Sequence, residues 1–282
     1  MKIFKDIKKM QNFRKSINNS FKIGFIPTMG CLHDGHLSLI KQSNQLCDYT
    51  FCSIFVNPKQ FGSNEDFDKY PRTFENDIDL LKQYQCCALF IPDESSMFKE
   101  ISTSVSNYKL NLTLEGQRRP DFFDGISLVC TKLFNIIKPD EVFFGQKDIG
   151  QCILIQKLIN DLNFDININI CITERASDGL ALSSRNKYLN INQRKIAPIL
   201  FNSLKKLEAN IRKNKYNRIN EIKLDFYDII NHPDIDVEYI SIADPENMME
   251  LSNLGHSKKI ILSSAIKLGN VRLIDNLIID IF

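Results

Sequence analysis

Short apolar runs alternate with stretches of helical spacing over the first two-thirds of the chain. The run that ends at Pro27 is too short for a helix and favours a buried strand. Between the runs, apolar residues recur at helical spacing, most clearly from Ile126 to Ile137, where the stripe ends before Pro139. This alternation predicts an α/β protein whose doubly wound parallel sheet carries helices on both faces. The predicted strands are Lys22–Ile26, Thr50–Val56, Ala88–Ile91, Glu141–Phe144 and Asp165–Ile172.

The last third of the chain follows a different order. The polar segment Thr173–Asn186 has no periodicity, and we interpret it as a hinge that carries function. The elements beyond it are typical of a smaller α+β unit, so we expect two domains, 1–175 and 176–282. The pattern there predicts the helices Gln193–Lys213 and Ile219–Ile230, followed by the strands Val237–Ala243 and Lys259–Ile266.

Polar loops follow four of the predicted parallel strands, after Ile26, Val56, Phe144 and Ile172. Ligands of open parallel sheets bind in the crevice outside the carboxyl ends of the strands. We therefore expect these four loops to converge on one binding crevice.

The first of these loops places two histidines, His33 and His36, where a strand gives way to a helix. Backbone N–H groups at a helix start are unpaired and carry the positive end of the dipole, so they attract anions. Two imidazoles there can donate hydrogen bonds to phosphoryl oxygens without a fixed charge. The pattern thus indicates a phosphate site, although a purely structural role for the histidines fits the same spacing.

Composition narrows the class of protein. The 282 residues are 43% hydrophobic and 25% charged, which is ordinary for a globular protein, and a net charge of +2 without a basic cluster argues against a nucleic-acid surface. No apolar stretch approaches the length of a membrane span, and the first residues lack the apolar core of a signal peptide. The eight cysteines include no Cys-x-x-Cys pair, so we expect reduced thiols in a cytoplasmic protein that binds neither membrane nor nucleic acid.

Further motifs lie in the loops and at the end of the chain, and together with the histidine turn they closely resemble the pantothenate synthetase (pantoate–β-alanine ligase) family. This family belongs to the His-x-x-His nucleotidylyltransferase superfamily. The resemblance runs nearly end to end and implies a Rossmann-like domain, a smaller lid domain and a homodimer. The motifs that carry it are Pro27–His36, Phe55–Gly62, Leu114–Pro120, Phe144–Asp148, Asp178–Asn186 and Arg272–Asn276.

The resemblance implies an AMP-forming ligase that condenses pantoate with β-alanine through a pantoyl-adenylate, with ATP as a substrate and Mg²⁺ as its companion. It implies catalytic roles for His33, His36, Lys147 and Arg185. The same four residues would also bind ATP, and His36 is the favoured donor to the leaving pyrophosphate. Further ATP contacts are implied for Met29, Gly30, Gly145, Asp148, Glu174, Leu182, Ser183 and Ser184.

The two organic substrates are assigned to side-chain amides by the same resemblance. Gln60 and Gln151 would hold pantoate, since an amide can read both a hydroxyl and a carboxylate without adding charge, and Asn57 would shape that loop. Asp77 matches an acidic position near the family's metal, but its neighbour Asn76 is not acidic, so it is a weak Mg²⁺ ligand.

Several positions depart from the family pattern. Gln146 stands in place of a glutamate, Gly150 in place of a glutamine and Phe122 in place of a histidine. Arg119 suits a structural ion pair as well as a ligand contact. Two alternatives stay open: another nucleotidylyltransferase of the superfamily, or an inactive nucleotide-binding relative.

Overall fold

A computed structural model describes residues 1–63, 65–216, 218–255 and 257–281. Its larger sheet has six strands in the order β1-β4-β3-β2-β5-β6, and every neighbouring pair is parallel. The order reverses between β2 and β5, so the switch point of the sheet lies between these two strands. The strands are β1 (Lys2–Phe4), β2 (Ile23–Thr28), β3 (Tyr49–Ile54), β4 (Ala88–Phe90), β5 (Glu141–Gly145) and β6 (Asn167–Cys171).

Both faces of this sheet are covered by helices, which confirms the predicted doubly wound architecture. Phe25 of β2 and Phe144 of β5 point into one core, whereas Ile26 and Phe143 point into the other. Successive residues of a strand face opposite sides, so a strand buried on both faces must be apolar throughout. The helices of this part of the chain are α1 (Ile7–Ser16), α2 (Asp34–Leu46), α3 (Phe74–Gln83), α4 (Glu94–Phe98), α5 (Tyr108–Asn111), α6 (Leu114–Arg118), α7 (Phe122–Ile137) and α8 (Ile149–Asp161).

Helix α2 packs very closely on β2, and this places the histidine turn. A Cβ atom on Gly24 would lie 2.1 Å from the Ser43 hydroxyl and 3.1 Å from the ring of Phe143. Glycine is therefore required at this strand position, because any side chain would push α2 away from the sheet.

The smaller unit has its own antiparallel sheet, in the order β7-β8-β9, and its own apolar core. Leu207, Phe226 and Leu262 are fully buried in this core, which is separate from the two cores of the larger sheet. The proposed domain boundary at residue 176 lies between the two sheets and stays a prediction. The elements are α9 (Ile191–Ile196), α10 (Ile199–Arg212), α11 (Ile219–Ile229), β7 (Ile235–Ala243), β8 (Lys259–Leu268) and β9 (Val271–Asp280).

Two features of the fold differ from the sequence prediction. The single helix predicted over Gln193–Lys213 is wrong: α9 and α10 are separate helices, and Pro198 lies between them. Proline lacks the N–H that would continue the hydrogen-bond ladder of the first helix. Strands β1 and β9 were not predicted. Across the described ranges, no helix has both the length and the apolar character that crossing a bilayer requires.

Candidate active site

A cavity of about 980 Å³ lies at the carboxyl edge of the six-stranded sheet, under the smaller unit. The loops after β2, β3, β5 and β6 all reach it, as predicted from the sequence. Of the predicted site residues, Gly30 and Asp77 do not line it. Those that line it are Met29, His33, His36, Asn57, Gln60, Gly145, Lys147, Asp148, Gln151, Glu174, Leu182, Ser183, Ser184 and Arg185.

The two histidines cap the start of α2, which begins at Asp34. The backbone N–H of Gly35 donates to Nδ1 of His33 at 3.2 Å, and the N–H of His33 donates to Nδ1 of His36 at 3.4 Å. Since each Nδ1 accepts, the proton of each neutral ring lies on Nε2. The local backbone thus selects the tautomer that leaves Nε2–H as a donor.

Both imidazoles are held neutral. Burial, and after it the positive charge of Lys147, lowers the pKa of His33 from 6.5 to about 4. Burial, followed by the neighbouring His33 and then Lys147, places the pKa of His36 well below 6.5. The ring centroids are only 4.2 Å apart, so protonation of one ring would oppose protonation of the other. At neutral pH the turn therefore presents uncharged donors.

A buried carboxylate holds the turn in place. Gly30 and Cys31 have φ angles of 80° and 52°, so the chain passes through the left-handed region here. Asp77 is fully buried and accepts from the N–H groups of Cys31 and Leu32, each at 2.9 Å, while the Thr73 hydroxyl donates to the same carboxylate. Backbone conformations of this kind persist only where the surroundings fix them.

The oxygens of Asp77 are enclosed and already accept hydrogen bonds, which argues against the weak assignment of Asp77 as a Mg²⁺ ligand. Gly30 likewise acts through its backbone shape, since an added Cβ would lie 2.9 Å from Ile54 and 3.1 Å from Asp77. In the part of the chain that the structure describes, no three His, Cys, Asp or Glu side chains gather into a metal site.

Lys147 lies in a short 3-10 helix, Gln146–Asp148, directly after β5. Its ammonium is 3.5 Å from the carboxylate of Asp148, and its side chain is 20% exposed, against 46% for Asp148. The lysine thus lies at the switch point of the sheet, opposite the histidine turn, and its charge lowers the pKa of both rings.

Arg185 lies in the 3-10 helix Ser184–Tyr188, and it already has a partner. Its Nε and Nη2 donate to the two oxygens of Asp66 at 3.0 and 2.7 Å. This side-on pairing occupies one edge of the guanidinium, and among the described residues no hydrogen bond from Nη1 is present, so that edge can bind an anion.

The two serines before Arg185 have different tasks. Ser183 lines the cavity and its hydroxyl accepts from the N–H of Arg185 at 3.3 Å. The Ser184 hydroxyl is buried and donates to the carbonyl of Cys31 at 3.0 Å, which ties this loop to the histidine turn. Since a hydroxyl has one proton to donate, Ser184 fastens two loops together instead of donating to a ligand.

The amides predicted to bind pantoate line the same cavity. Asn57 is 1% exposed and donates to Gln60 Oε1 at 2.9 Å and to the carbonyl of Gly125 at 3.0 Å. Gln60 in turn donates to the sulfur of Met29 at 3.3 Å, and Gln151 faces the same space from α8. Asn57 therefore orients Gln60.

The structure also shows ion-pair partners that the sequence did not indicate. Arg119 makes a two-bond ion pair with Glu65, both bonds at 2.7 Å, so the structural one of its two expected roles is present, although it also lines the cavity. Its guanidinium carbon lies 3.5 Å from the ring centroid of Phe122, so this departure from the family pattern is used for stacking. Neither Glu65 nor Asp66 lies in a periodic segment, and nothing in the sequence indicated their partners.

A family model described as pantoate-beta-alanine ligase matches residues 2–278 of this chain. A pantothenate synthetase from Thermosipho africanus (strain TCF52B) is 42% identical over 281 residues, which cover 99% of this chain and 100% of the relative. One from Acinetobacter baumannii (strain AYE) is 42% identical over 257 residues, covering 90% and 89%.

Solved structures give the same result. Pantothenate synthetase from Thermus thermophilus superposes with a TM-score of 0.89 at 32% identity, covering 98% of this chain and 99% of the other. A pantoate-beta-alanine ligase from Francisella tularensis, complexed with beta-gamma ATP and beta-alanine, has a TM-score of 0.79 at 34% identity, covering 98% and 97%.

Proposed function

Because the chain belongs to the pantoate-beta-alanine ligase family, we propose that it condenses pantoate with β-alanine at the expense of ATP, through a pantoyl-adenylate, with release of AMP and pyrophosphate. The observation that carries the adenylate step is the pair of neutral imidazoles, each with Nδ1 accepting from the backbone, that line the same cavity as Lys147. Such a site suits a reaction in which negative charge grows on a phosphoryl group.

In the first half-reaction, a carboxylate oxygen of pantoate attacks the α-phosphorus of ATP, and the bond to the bridging oxygen breaks to release pyrophosphate. There is little covalent work for the protein, so the rate depends on positioning and on charge stabilisation. His36 would donate from Nε2 to the reacting phosphates with His33 beside it, while Lys147 supplies the positive charge. The Nη1 edge of Arg185 would bind the outer phosphates.

Nucleotide binding would use the remaining lining residues. Met29 and Gly145 present backbone at the carboxyl edge of the sheet, and Asp148 is exposed enough to accept from ribose hydroxyls. Glu174 and Leu182 are joined by a backbone hydrogen bond of 2.9 Å and close one wall. We propose that the base lies along this wall.

In the second half-reaction, the amine of β-alanine attacks the acyl carbon and AMP leaves with the oxygen that pantoate contributed. Before that attack, the adenylate must be shielded from water. The smaller unit covers the cavity with Arg272, Leu273 and Asp275 of β9, which suits this task. Gln60 and Gln151 would hold pantoate with its carboxylate beside the α-phosphate.

A Mg²⁺ ion accompanying ATP fits no set of side chains among the described residues, since Asp77 is already hydrogen-bonded to the turn. Such an ion would take its ligands from phosphate oxygens and water, as Mg²⁺ commonly does.

We also propose a homodimer in the cytoplasm. Strand β6 is an edge of the larger sheet, and Ile170 on it is 43% exposed, so the edge offers both backbone and apolar surface to a second copy. The eight cysteines are all free thiols, which suits a reducing compartment. Light scattering of the wild type and of Ile170→Asp would test the association.

The two alternatives are separated by a product assay. The purified chain is incubated with Mg²⁺, ATP, pantoate and β-alanine, and nucleotides and pantothenate are then detected. We expect AMP and pantothenate in equal amounts, and neither when pantoate is omitted. Another nucleotidylyltransferase would leave pantoate unused, an inactive relative would bind ATP without forming AMP, and ADP as the product would contradict the proposal.

A further inference from the structure

Strand β9 carries the sequence Arg272–Asn276, which the proposed reaction leaves largely without a role. Two of its polar side chains are buried: Asp275 is 4% exposed and Asn276 is 1% exposed. Asn276 does not line the cavity. Burying polar groups is costly unless they are hydrogen-bonded, so their partners indicate what they are for.

Asn276 reaches from the smaller unit to the backbone around Lys147. Its Nδ2 donates to the carbonyls of Gln146 and Lys147, both at 2.9 Å, and its Oδ1 accepts from Gln146 Nε2 at 3.2 Å. Both amide protons are thus used on consecutive carbonyls of one 3-10 helix, about 130 positions earlier in the chain. The amide fixes the backbone from which the Lys147 side chain extends.

Asp275 reaches in the other direction, to the base of the segment that carries Ser183 and Arg185. Its carboxylate accepts from Arg175 Nη1 at 2.5 Å and Nη2 at 2.8 Å, and Arg175 Nη1 also donates to the carbonyl of Gly179 at 3.0 Å. The guanidinium is further held against the ring of Phe201, 3.7 Å from the centroid. The same carboxylate accepts from the N–H of Asn276 at 2.8 Å, so the contacts of Asp275 and Asn276 form one connected network.

Strand β9 packs against both 3-10 helices, Gln146–Asp148 and Ser184–Tyr188, which carry the two cations. We propose that Asn276 and Asp275 are positioning residues for adenylation: they set the two predicted phosphate-binding cations, Lys147 and Arg185, at a fixed separation from a single strand of the smaller unit. This inference rests on the proposed function. It assigns to the β9 motif an effect on the binding and reaction of ATP and no effect on the binding of pantoate.

A purely structural role would also bury these groups, but it would not select these partners. Packing alone is served at lower cost by apolar side chains of similar size. Here each buried polar group ends on a segment that holds a cation, and misplacement of a reacting group by about 1 Å can cost on the order of a hundredfold in rate. A positioning role therefore predicts that a substitution changes ATP binding and the exchange rate without changing the KM for pantoate, whereas a purely structural role does not.

The test compares Asn276→Ala and Arg175→Lys with Ile279→Ala, a variant on the same strand whose side chain is fully buried in the core of the smaller unit and away from the cavity. Arg175→Lys replaces the two-bond guanidinium partner of Asp275 by a single ammonium. It is the milder change and serves as the test variant if Asn276→Ala does not fold. Each variant is measured for its Tm, its ATP affinity by calorimetry, its rate of pantoate-dependent pyrophosphate exchange and its KM for pantoate.

We expect Asn276→Ala and Arg175→Lys to weaken ATP binding by about tenfold and to slow exchange by roughly ten- to a hundredfold, with the KM for pantoate within about twofold of wild type. Ile279→Ala should lower the Tm at least as much and keep normal ATP affinity and exchange. The inference is overturned if Asn276→Ala and Arg175→Lys behave like Ile279→Ala, or if ATP binding weakens and the KM for pantoate rises to the same extent. Failure of the wild type to exchange pyrophosphate would instead overturn the proposed function, and the calorimetric comparison would still decide the inference.

Discussion

His33 and His36 can serve a phosphate site because their environment keeps them neutral. If both rings were protonated, two imidazolium charges would lie about 4 Å apart, next to the ammonium of Lys147, in a partly buried turn. The neutral rings avoid this repulsion and still offer Nε2–H donors, while Lys147 alone carries the charge. Lys147 and the turn therefore place one cation and two neutral hydrogen-bond donors around the same space.

Replacing the donors should affect the chemistry more than the fold. We expect His36→Ala and Lys147→Ala each to slow pantoate-dependent pyrophosphate exchange by roughly a hundredfold, the usual scale for loss of a group that stabilises the transition state. Gln151→Ala should instead raise the KM for pantoate. His232→Ala, at a turn far from the cavity, is the matched control and should exchange at the wild-type rate. Normal exchange in His36→Ala would show that the turn has another purpose.

The lowered pKa of His33 also predicts how stability depends on pH. Its pKa is about 4 in the folded chain and 6.5 when unperturbed, so between these values the unfolded chain binds more protons than the folded one. The free energy of unfolding should therefore fall as the pH is lowered, by about 2 kcal/mol between about pH 7 and pH 5 for this group. Urea denaturation at both pH values measures it, and His33→Gln should show a smaller fall. An equal fall in the variant would mean that His33 is not buried in its neutral form.

Asp77 gives a third prediction at the level of single residues. Asp77 braces the turn by accepting from the N–H groups of Cys31 and Leu32. Replacement by Asn removes one of these acceptors, which should lower the free energy of unfolding by about 1–3 kcal/mol. The turn would loosen, so the KM for ATP should rise. The Mg²⁺ concentration that gives half-maximal activity should not change. A selective rise in the Mg²⁺ requirement with unaltered urea denaturation would restore Asp77 as a metal ligand.

At the scale of elements, the segment 173–186 acts as one unit with the loops around it. Arg185 pairs with Asp66, and Ser184 is tied to Cys31. The arginine is 28% exposed at its side chain, so Arg185→Ala leaves a partly buried Asp66 without its partner. We therefore expect a measurable loss of about 1–2 kcal/mol in stability together with slower adenylation, instead of the unchanged Tm that an exposed cation would give.

Ligand binding should tighten the same segment. Phosphates would bind the free Nη1 edge of Arg185 while Asp66 holds its other edge, so both sides of the guanidinium become fixed. Hydrogen exchange across residues 174–186 should slow when ATP is added, whereas α11 in the smaller unit should exchange as before. Identical exchange in this segment with and without ATP would remove the case for closure around the nucleotide.

The sequence predicted elements best where apolar runs were buried on both sides, as in Val142, Phe143 and Phe144 of β5. It failed where a local signal competed with spacing: Pro198 breaks a helix whose apolar positions continue in phase. Strand β1 is only three residues long and begins with a charged side chain, so it has too little pattern to detect.

At the scale of the whole molecule, the convergence of loops on one cavity was predictable because the carboxyl ends of parallel strands meet at one edge. The ion pairs were not predictable, since Asp66 is 119 positions from Arg185 and lies in a loop without periodicity. The cavity is completed by β9 of the smaller unit, whose Asn276 contacts the Lys147 backbone. The cavity is thus formed by both units together, and the individual roles of the lining residues stay predictions.

The central claim is that pantoate is activated by transfer of the adenylyl group to its carboxylate. Pantoate carrying a heavy oxygen isotope in its carboxylate tests this directly, with the purified chain, ATP and β-alanine, and with mass spectrometry of the nucleotide and phosphate products. We expect one heavy oxygen in AMP and none in pyrophosphate, because the attacking oxygen stays on the α-phosphorus when the amine displaces AMP. Heavy oxygen in inorganic phosphate, accompanied by ADP, would contradict it.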